Sequence, residues 1–251
     1  MRATVIVPVL YEEPLLARSL ARLTGLDDRI DLEVLVVVDV PDPSKARDAE
    51  KANDPIAAAA GARALYRVGK RGFGSALRYG FGQASGDVLV PFMGDGSDRA
   101  EDIPRMLETL EQGFDVVAAS RYMRGGETVG MTAKQRISHL YSTLVRVAGG
   151  LRIHDVSNAF KAYRREVVEA VPTEAESFDI SAELTVKAAI LGFRLGEIPT
   201  SWTNRAEGTS NFRFSKELRN YSRWLFLAAR SRFSSNHHAR PAALPGAGHR
   251  S

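Results

Sequence analysis

The feature that most constrains this fold is the alternation of apolar, strand-like runs with segments of helical periodicity along the first half of the chain. Residues 4–9 and 32–38 have the composition of buried parallel strands, and a helical pattern over residues 14–23 lies between them. This alternation continues to residue 120. It predicts an α/β fold with a Rossmann-like, doubly wound, mostly parallel sheet flanked by helices. The length of 251 residues allows a well-buried single domain.

The same patterns predict further strands over residues 64–68, 88–93, 115–120 and 159–163. They predict helices over residues 72–84, 103–112, 132–148, 181–191 and 218–233. A short helix is also expected through the alanines after residue 54. We divide the chain into a main domain, residues 1–215, and a basic amphipathic helix, residues 216–235. Residues 236–251 are rich in Pro, Gly, Ala and His, so a disordered tail is expected there.

Composition excludes several kinds of chemistry. The chain has no cysteine, which rules out disulfides, thiolate zinc sites and cysteine nucleophiles, and its five histidines lack a metal-binding spacing. No run of ~18 apolar residues occurs, and the N-terminus has no signal-peptide pattern, so we expect a cytoplasmic protein. Nucleic-acid binding is disfavoured, because the basic residues concentrate at one end and the predicted sheet edge is acidic.

An acidic turn follows the strand-like run 88–93 and contains Asp95, Ser97 and Asp98. Ligands of open α/β sheets bind beyond the carboxyl ends of the strands. Carboxylate and hydroxyl oxygens suit Mg²⁺ or Mn²⁺, and such an ion bridges to substrate phosphates. The turn therefore predicts a metal site and a phosphate-bearing donor. The alternative is a helix cap, since Asp98 and Glu101 have capping-box spacing.

Two further segments are expected at this edge. Asp39 ends the second strand and Asp42 follows it, and carboxylates there can accept a hydrogen bond from a nucleobase or a ribose hydroxyl. The glycine-rich segment 69–76, with Lys70 and Gly74, does not match a P-loop, but its backbone N–H groups can approach a diphosphate. The alternatives are a solvated loop for the acids and close helix packing for the glycines.

Taken together, these segments resemble the family 2 glycosyltransferases, and within them the dolichyl-phosphate mannosyltransferase-like group that glycosylates polyprenyl phosphates. The similarity covers residues 3–215 and rests on motifs in the family's order and spacing. The motifs include Val5-Ile-Val-Pro8 with Glu12, Val36-Val-Val-Asp39, Gly72-Phe-Gly-Ser-Ala76, Met93-Gly-Asp-Gly-Ser-Asp98, Ser120-Arg-Tyr122, and the segments 155–163 and 205–212.

The resemblance implies a GT-A fold, a nucleotide-sugar donor, a divalent ion (Mg²⁺ or Mn²⁺) and inversion at the anomeric carbon. It assigns Pro8, Glu12 and Asp39 to the nucleotide. It also assigns Asp95 to the metal, as the second carboxylate of the family's DxD motif, with Met93 standing at the position of the first.

For the phosphate groups, the resemblance assigns Arg121 and Arg205. It adds Ser138 with a basic residue at Lys134 or Arg136. These residues define the acceptor side of the predicted site.

Three functions remain open from the sequence. A polyprenyl phosphate acceptor is already largely ionised near neutral pH, because its second pKa is ~6, and needs no general base. A hydroxyl acceptor on a small molecule does need one, and Asp155 is the first candidate with Asp98 second. The third function is a domain that binds nucleotide or lipid phosphate without turnover.

The basic C-terminal segment has two interpretations. Residues 212–233 contain six arginines and lysines against Glu217, together with Trp224 and Phe226. Such a helix either lies peripherally on the anionic cytoplasmic face of a membrane or packs on the domain with its arginines in water.

Overall fold

The computed structural model describes residues 1–11, 14–26, 30–203 and 214–233. The strands are β1 (Ala3–Leu10), β2 (Leu32–Val40), β3 (Arg63–Val68), β4 (Val88–Pro91), β5 (Val116–Ser120), β6 (Glu127–Val129), β7 (Lys161–Arg164), β8 (Leu195–Pro199) and β9 (Ser201–Thr203). The helices are α1 (Leu16–Thr24), α2 (Ala46–Ala59), α3 (Phe73–Gln83), α4 (Ile103–Glu111), α5 (Ala133–Gly149), α6 (Arg165–Ala170), α7 (Ile180–Ile190) and α8 (Phe214–Phe233).

The main sheet has seven strands in the order β3-β2-β1-β4-β7-β5-β8, and β6 pairs with β9 separately. Every neighbouring pair of the main sheet is parallel except those of β7, which runs antiparallel to both β4 and β5. The chain builds outward from β1 to β3 and then returns to place β4 on the other side of β1. This reversal occurs between β1 and β4, and sheets of this kind bind ligands beyond the carboxyl ends of the strands at such a point.

Helices cover both faces of the sheet. Alternate residues of β1 divide between the layers, so Val5 and Val7 pack towards α1, α2 and α4, whereas Ile6 packs towards α3 and α7. In α1, Leu16, Leu20 and Leu23 recur at helical spacing and are buried on the sheet. The predicted doubly wound sheet in a single domain is thus confirmed.

Several elements differ from the prediction. The expected short alanine helix is α2, which starts at Ala46 and has 14 residues, because Ala49, Asn53 and Ala57 form a buried face at four-residue intervals. The sequence reading missed α6 and the strands β6, β8 and β9. These elements have three to six residues each, too few for a clear apolar period.

The C-terminal helix α8 packs on the domain. Trp224 is 3% exposed, and its indole N–H donates to the buried carboxylate of Asp179 at 2.9 Å. Tyr141 of α5 donates its hydroxyl to the carbonyl of Tyr221 at 3.1 Å. Packing is therefore the correct interpretation for the face of α8 that carries Trp224. Across the described residues, no helix combines the length and the apolar character needed to span a membrane.

Close packing of α3 on the sheet depends on a glycine. A Cβ on Gly80 would lie 2.5 Å from Cγ2 of Ile6 and 3.2 Å from Cγ2 of Val37. A Cβ on Gly82, two residues further along α3, would meet nothing within 4 Å. The two glycines therefore offer a matched comparison within one helix.

We expect Gly80→Ala to destabilise the protein by ~1–3 kcal/mol, because overpacking a core outweighs the ~1 kcal/mol that alanine gains in a helix. Gly82→Ala should instead stabilise it by up to ~1 kcal/mol, since only the helix propensity changes. Urea denaturation of both variants measures these effects. Shifts of the same sign and size in the two variants would contradict the packing argument.

Candidate functional site

The donor side of the predicted site forms at the carboxyl ends of β1 and β2. Pro8 lies two residues beyond Ile6, where the ladder between β1 and β4 ends, so its missing N–H costs no hydrogen bond of the sheet. Leu10 at the end of β1 pairs with Asp39 at the end of β2. The topology thus brings Pro8 and Asp39 to one edge, as predicted.

Asp39 is paired with Arg67, directly opposite it on β3. Both side chains are buried, and Asp39 Oδ1 lies 3.3 Å from Arg67 Nη1. Asp39 Oδ2 accepts the N–H of Gly72 at 2.9 Å, and Arg67 Nη2 donates to Ser75 Oγ at 2.8 Å. Burial raises the pKa of Asp39 above its ordinary value, although Arg67 opposes this shift. Among the described residues, Asp39 Oδ1 accepts no hydrogen bond, and this buried oxygen faces the Arg67 guanidinium in the ion pair.

Within the glycine-rich segment, Gly74 packs closely against the loop that precedes α7. The N–H of Gly74 donates to the carbonyl of Glu176 at 3.0 Å, and a Cβ on Gly74 would lie 2.2 Å from the carbonyl oxygen of Ala175. The Gly74 amide is therefore already used, and the packing alternative accounts for this residue. Lys70 is exposed in the turn that precedes α3.

Asp42 has a local structural role. Its carboxylate accepts the N–H of Ser44 at 3.0 Å and caps the 3₁₀ turn Pro43–Lys45. This hydrogen bond lowers the pKa of Asp42. Asp42 lies on the exposed loop after β2, close in sequence to Asp39 but outside its buried network.

The acidic turn after β4 is held in place by its own side chains. Asp95 Oδ1 accepts both the N–H of Ser97 at 3.0 Å and its hydroxyl at 2.6 Å. Gly96 has a φ of +73°, which only glycine adopts without strain. Ser19 of α1 donates its hydroxyl to the carbonyl of Gly94 at 2.7 Å. The turn is thus anchored to α1 with its two carboxylates buried.

Asp98 is not a helix cap, which corrects the alternative drawn from its spacing to Glu101. Its Oδ2 accepts the N–H of Met93 at 2.9 Å, and α4 begins only at Ile103, after a 3₁₀ turn and without a side-chain cap. Burial raises the pKa of Asp98 to about 7, and the charge of Asp95 acts in the same direction. A buried carboxyl beside another carboxylate is a place that a cation would stabilise.

The residues of the turn fit a divalent ion of the Mg²⁺ or Mn²⁺ type. In the part of the chain that the structure describes, no group of three or more His, Cys, Asp or Glu residues is arranged to hold a metal. Asp95, Ser97 and Asp98 supply hard oxygen atoms, and Mg²⁺ is usually held by one or two carboxylates plus substrate phosphates. The small protein ligand set therefore agrees with an ion that arrives with a phosphate-bearing donor.

The acceptor side is built on a buried ion pair. Arg121 donates from Nε to Asp155 Oδ2 at 2.7 Å and from Nη2 to Asp155 Oδ1 at 3.0 Å. Asp155 is fully buried, and the side chain of Arg121 is 9% exposed. The charge of Arg121 opposes the rise that burial causes in the pKa of Asp98, so the ion pair and the acidic turn lie within electrostatic range of each other.

Asp155 is unsuited to act as a general base, the role considered for a hydroxyl acceptor. Burial raises its pKa, but the charge and hydrogen bonds of Arg121 outweigh burial and hold the pKa of Asp155 below its usual value. Its Oδ1 also accepts the N–H of Asn158 at 3.0 Å. A carboxylate without solvent exposure and with both oxygens hydrogen-bonded is well placed to position Arg121 and poorly placed to take a proton from a substrate.

The sequence reading missed two residues that hold this loop. Glu197 of β8 accepts the backbone N–H groups of His154 at 2.6 Å and Asp155 at 3.0 Å. Lys161 is buried in β7 and donates from Nζ to the carbonyls of Val156 and Asn158, and burial lowers the pKa of Lys161 to about 7. The sequence did offer a signal for Lys161, because a lysine within an apolar strand is unusual. No neighbouring residue in the sequence indicated the role of Glu197.

Ser138 of α5 reaches the ion pair. Its hydroxyl lies 2.7 Å from Ser157 Oγ and accepts the hydroxyl of Tyr122 at 3.1 Å, and Arg121 Nη2 lies 3.5 Å away. The structure thus places Ser138 beside Arg121, and the phosphate-binding role of both residues stays a prediction.

The side chains of Lys134 and Arg136 are exposed on the first turns of α5. Glu12 and Arg205 lie outside the described residues, and their roles stay predictions.

Curated proteins similar to this chain act on lipid phosphates, according to their names. The undecaprenyl-phosphate mannosyltransferase of Micrococcus luteus is 33% identical over 92% of this chain and 96% of its own length. The dolichol-phosphate mannosyltransferase of Pyrococcus furiosus is 28% identical over 90% of this chain. The polyprenol monophosphomannose synthase of Mycolicibacterium smegmatis is 33% identical over 58% of this chain. The chain spans 63% and 58% of the lengths of these last two.

Solved structures share the fold. Glucosyl-3-phosphoglycerate synthase from Mycobacterium tuberculosis, in complex with Mn²⁺, UDP and phosphoglyceric acid, superposes with a TM-score of 0.66 at 20% identity, covering 92% of this chain and 78% of that one. The complex of the same enzyme with Mg²⁺ and UDP gives a TM-score of 0.64 at 20% identity, covering 92% of this chain and 79% of that one. The predicted GT-A type of fold is confirmed.

The family model described as glycosyl transferase family 2 matches residues 4–171, which include the carboxyl ends of β1, β2 and β4, the acidic turn and the Arg121–Asp155 pair. Together with the relative from Micrococcus luteus, this match establishes that the chain belongs to the family 2 glycosyltransferases.

Proposed function

We propose that this protein transfers a sugar from a nucleotide-sugar, GDP- or UDP-linked, to the phosphate of a polyprenyl phosphate, with inversion at the anomeric carbon. The observation that carries the proposal is the buried Arg121–Asp155 pair within electrostatic range of the buried acidic turn. A fixed cation and a pair of carboxylates in one site offer separate places for an anionic acceptor and for a metal-bound donor. The names of the three curated relatives support the same acceptor class.

On the donor side, Asp39 accepts a hydrogen bond from the nucleobase or ribose, and Pro8 lines the same edge. Asp95, Ser97 and Asp98 hold the divalent ion, and Glu12 completes the nucleotide contacts. When bound, the ion neutralises charge on the departing nucleoside diphosphate. The protein itself keeps the carboxylates buried and fixed by Ser97 and Met93 before the donor arrives.

On the acceptor side, the nucleophile is a phosphate oxygen that is already ionised near neutral pH, because the second pKa of a phosphate monoester is ~6. No proton has to be removed. The Asp155 carboxylate occupies Nε and Nη2 of Arg121, so Nη1 is the group left to donate to the acceptor phosphate. Arg205 and Ser138 supply further phosphate contacts. Catalysis then comes from positioning and electrostatics.

A hydroxyl acceptor on a small molecule is the second candidate, and the raised pKa of Asp98 is the observation that favours it. A carboxyl whose pKa burial raises to about 7 suits a general base. The same carboxylate is a proposed metal ligand, however, and a carboxylate bound to a cation is a poor proton acceptor. The phosphate acceptor is therefore favoured.

Transfer assays test the proposal directly. UDP- and GDP-sugars are incubated with Mn²⁺, with either a polyprenyl phosphate or hydroxyl compounds as acceptor, and the products are separated. We expect transfer to the phosphate alone. Transfer confined to hydroxyl acceptors selects the second candidate, and nucleotide binding without any turnover selects the non-catalytic alternative.

We expect Asp95→Asn to weaken Mn²⁺-dependent binding of the nucleoside diphosphate by at least about tenfold, a scale reached even by partners of metal ligands. The amide oxygen can still accept the hydrogen bonds from Ser97, so the thermal midpoint should change little. Calorimetric titration with UDP and GDP, with and without Mn²⁺, measures the effect. Asp87→Asn is the matched control, because Asp87 is exposed at the opposite end of β4. Equal binding by both variants would remove Asp95 from the metal site.

A double-mutant cycle tests whether Asp155 acts through Arg121. Arg121→Gln should lower kcat/KM for the phosphate acceptor by about 100-fold or more, since a charge-assisted contact is lost. Asp155→Asn should lower it nearly as much, and the double variant should lose no more than Arg121→Gln alone. Retained binding of the nucleoside diphosphate shows that the variants are folded. Multiplied losses, or a shifted pH profile in Asp155→Asn, would give Asp155 a separate chemical role.

A further inference from the structure

A buried threonine connects the two sides of the site. Thr200 lies between β8 and β9. Its hydroxyl donates to Asp102 Oδ2 at 2.6 Å, and its N–H donates to the carbonyl of Ser120 at 3.1 Å. Its carbonyl accepts the N–H of Glu127 at 2.9 Å. Thr200 is thus hydrogen-bonded to three segments that are distant from it in the sequence.

Two of these partners lead directly to the two sides of the site. Ser120 ends β5 and precedes Arg121. Asp102 ends the 3₁₀ turn that follows the acidic turn. Burial raises the pKa of Asp98, and the charge of Asp102 adds to this rise, so these two carboxylates lie close together. Thr200 therefore connects the strand that carries Arg121 with the segment that carries the acidic turn.

Among the described residues, the main sheet makes no direct connection of this kind. The acidic turn follows β4, Arg121 follows β5, and β7 lies between these two strands. Neighbouring strands are ~4.8 Å apart, so two strand spacings separate β4 from β5 by roughly 10 Å. The ladder between β4 and β7 is formed at Val88 and Leu89 of β4, and it ends before the acidic turn begins. The relative position of the two sides thus depends on contacts outside the sheet.

Asp102 is suited to hold a position and not to bind a ligand. Its side chain is buried, and both of its oxygens are used, because Oδ1 accepts Nη1 of Arg105 at 3.0 Å and Oδ2 accepts the Thr200 hydroxyl. Arg105 Nη1 also donates to the carbonyl of Pro199 at 3.3 Å. A hydroxyl bound to a carboxylate makes a short, strong hydrogen bond, and a β-branched threonine has few rotamers. The contact is therefore rigid.

We propose that the hydrogen bond between Thr200 and Asp102, which we call the Asp102–Thr200 bridge, sets the distance between the acidic turn and Arg121. The inference rests on the proposed function, in which the turn holds the metal-bound donor and Arg121 holds the acceptor phosphate. Both bridge residues are buried, so they act through these groups as positioning residues. The bridge then aligns the acceptor oxygen with the anomeric carbon, and a misplacement of 1 Å can lower a rate by ~100-fold.

Steady-state kinetics of bridge variants test this role. Thr200→Val replaces the hydroxyl by a methyl group, and we expect kcat for transfer to polyprenyl phosphate to fall by about 10- to 100-fold. The KM for the acceptor and the Mn²⁺-dependent binding of the nucleoside diphosphate should change by less than about threefold, because neither binding place is altered. Thr200→Ser keeps the hydroxyl and should restore most of the activity. Asp102→Asn keeps a neutral hydrogen bond and should lower kcat by a smaller factor, which provides a test if Thr200→Val does not fold.

Thr4→Val is the matched control. Thr4 is buried in β1 at the opposite end of the sheet, and its hydroxyl donates to a carboxylate oxygen of Glu33, also at 2.6 Å. The same hydroxyl accepts the N–H of Gly86 at 2.9 Å, so Thr4→Val should destabilise the fold at least as much as Thr200→Val does. Its kcat should nevertheless equal that of the wild type. Thermal melting of all variants measures the stability that this comparison requires.

A measurement without substrates separates the bridge from the proposed function. The Nε–H of Arg121 donates to Asp155 in a buried pair, and its NMR signal is assigned by its loss in Arg121→Gln. We expect Thr200→Val to shift or broaden this signal, and Thr200→Ser and Thr4→Val to leave it unchanged.

Three results would overturn the proposal: an unchanged Arg121 signal in Thr200→Val, equal losses of kcat in Thr200→Val and Thr4→Val, or a raised KM at the wild-type kcat. A wild-type protein that transfers no sugar to polyprenyl phosphate would instead refute the proposed function. The NMR comparison would then decide by itself whether the bridge holds Arg121 in place.

Discussion

The buried pair of Arg121 and Asp155 is the interaction on which the acceptor side depends. Burying two charges costs several kcal/mol per ion, and their attraction repays this only with good geometry and further hydrogen bonds. The protein supplies both, through two parallel contacts between the side chains and through the N–H of Asn158. The ion pair therefore says little about the stability of the fold, and it says more about where the fold holds the Arg121 side chain. Its result is a guanidinium held rigidly at the end of β5.

Lys161 shows how far the surrounding structure is adapted to this pair. Asp155 and Glu197 both favour the charged form of Lys161, but Asp155 is already bound to Arg121 and burial outweighs the two carboxylates. Burial lowers the pKa of Lys161 to about 7, and the charge of Arg121 acts in the same direction. The arginine keeps its charge, because guanidinium does not deprotonate in proteins, whereas the charged form of the lysine is destabilised. The amine then serves chiefly as a hydrogen-bond donor that closes the loop between Asp155 and β7.

The sequence indicated six of the seven strands of the main sheet, the acidic turn and the family, because these depend on local periodicity and on motifs with fixed spacing. What it missed depends on contacts between distant segments. Asp98 and Glu101 have the spacing of a capping box, but the Asp98 carboxylate accepts the N–H of Met93 instead of capping a helix. Gly74 carried a phosphate-binding pattern, yet its amide is used by Glu176, about a hundred residues away. Arg67 and Glu197 had no local signal for their partners, since strand register and an edge strand bring them to Asp39 and Asp155.

The Asp39–Arg67 pair has a consequence for the choice of donor. Asp39 is fixed by Gly72 and Arg67, so the carboxylate cannot turn away, and its Oδ1 can only accept a hydrogen bond. Uracil and guanine carry a hydrogen on the ring nitrogen of their pairing edge, whereas cytosine and adenine present a lone pair there. If Asp39 contacts the base as proposed, an acceptor fixed at that ring nitrogen would repel cytosine and adenine and leave uracil and guanine undistinguished. Selection between uracil and guanine would then depend on the shape of the cleft, because uracil has one ring and guanine has two.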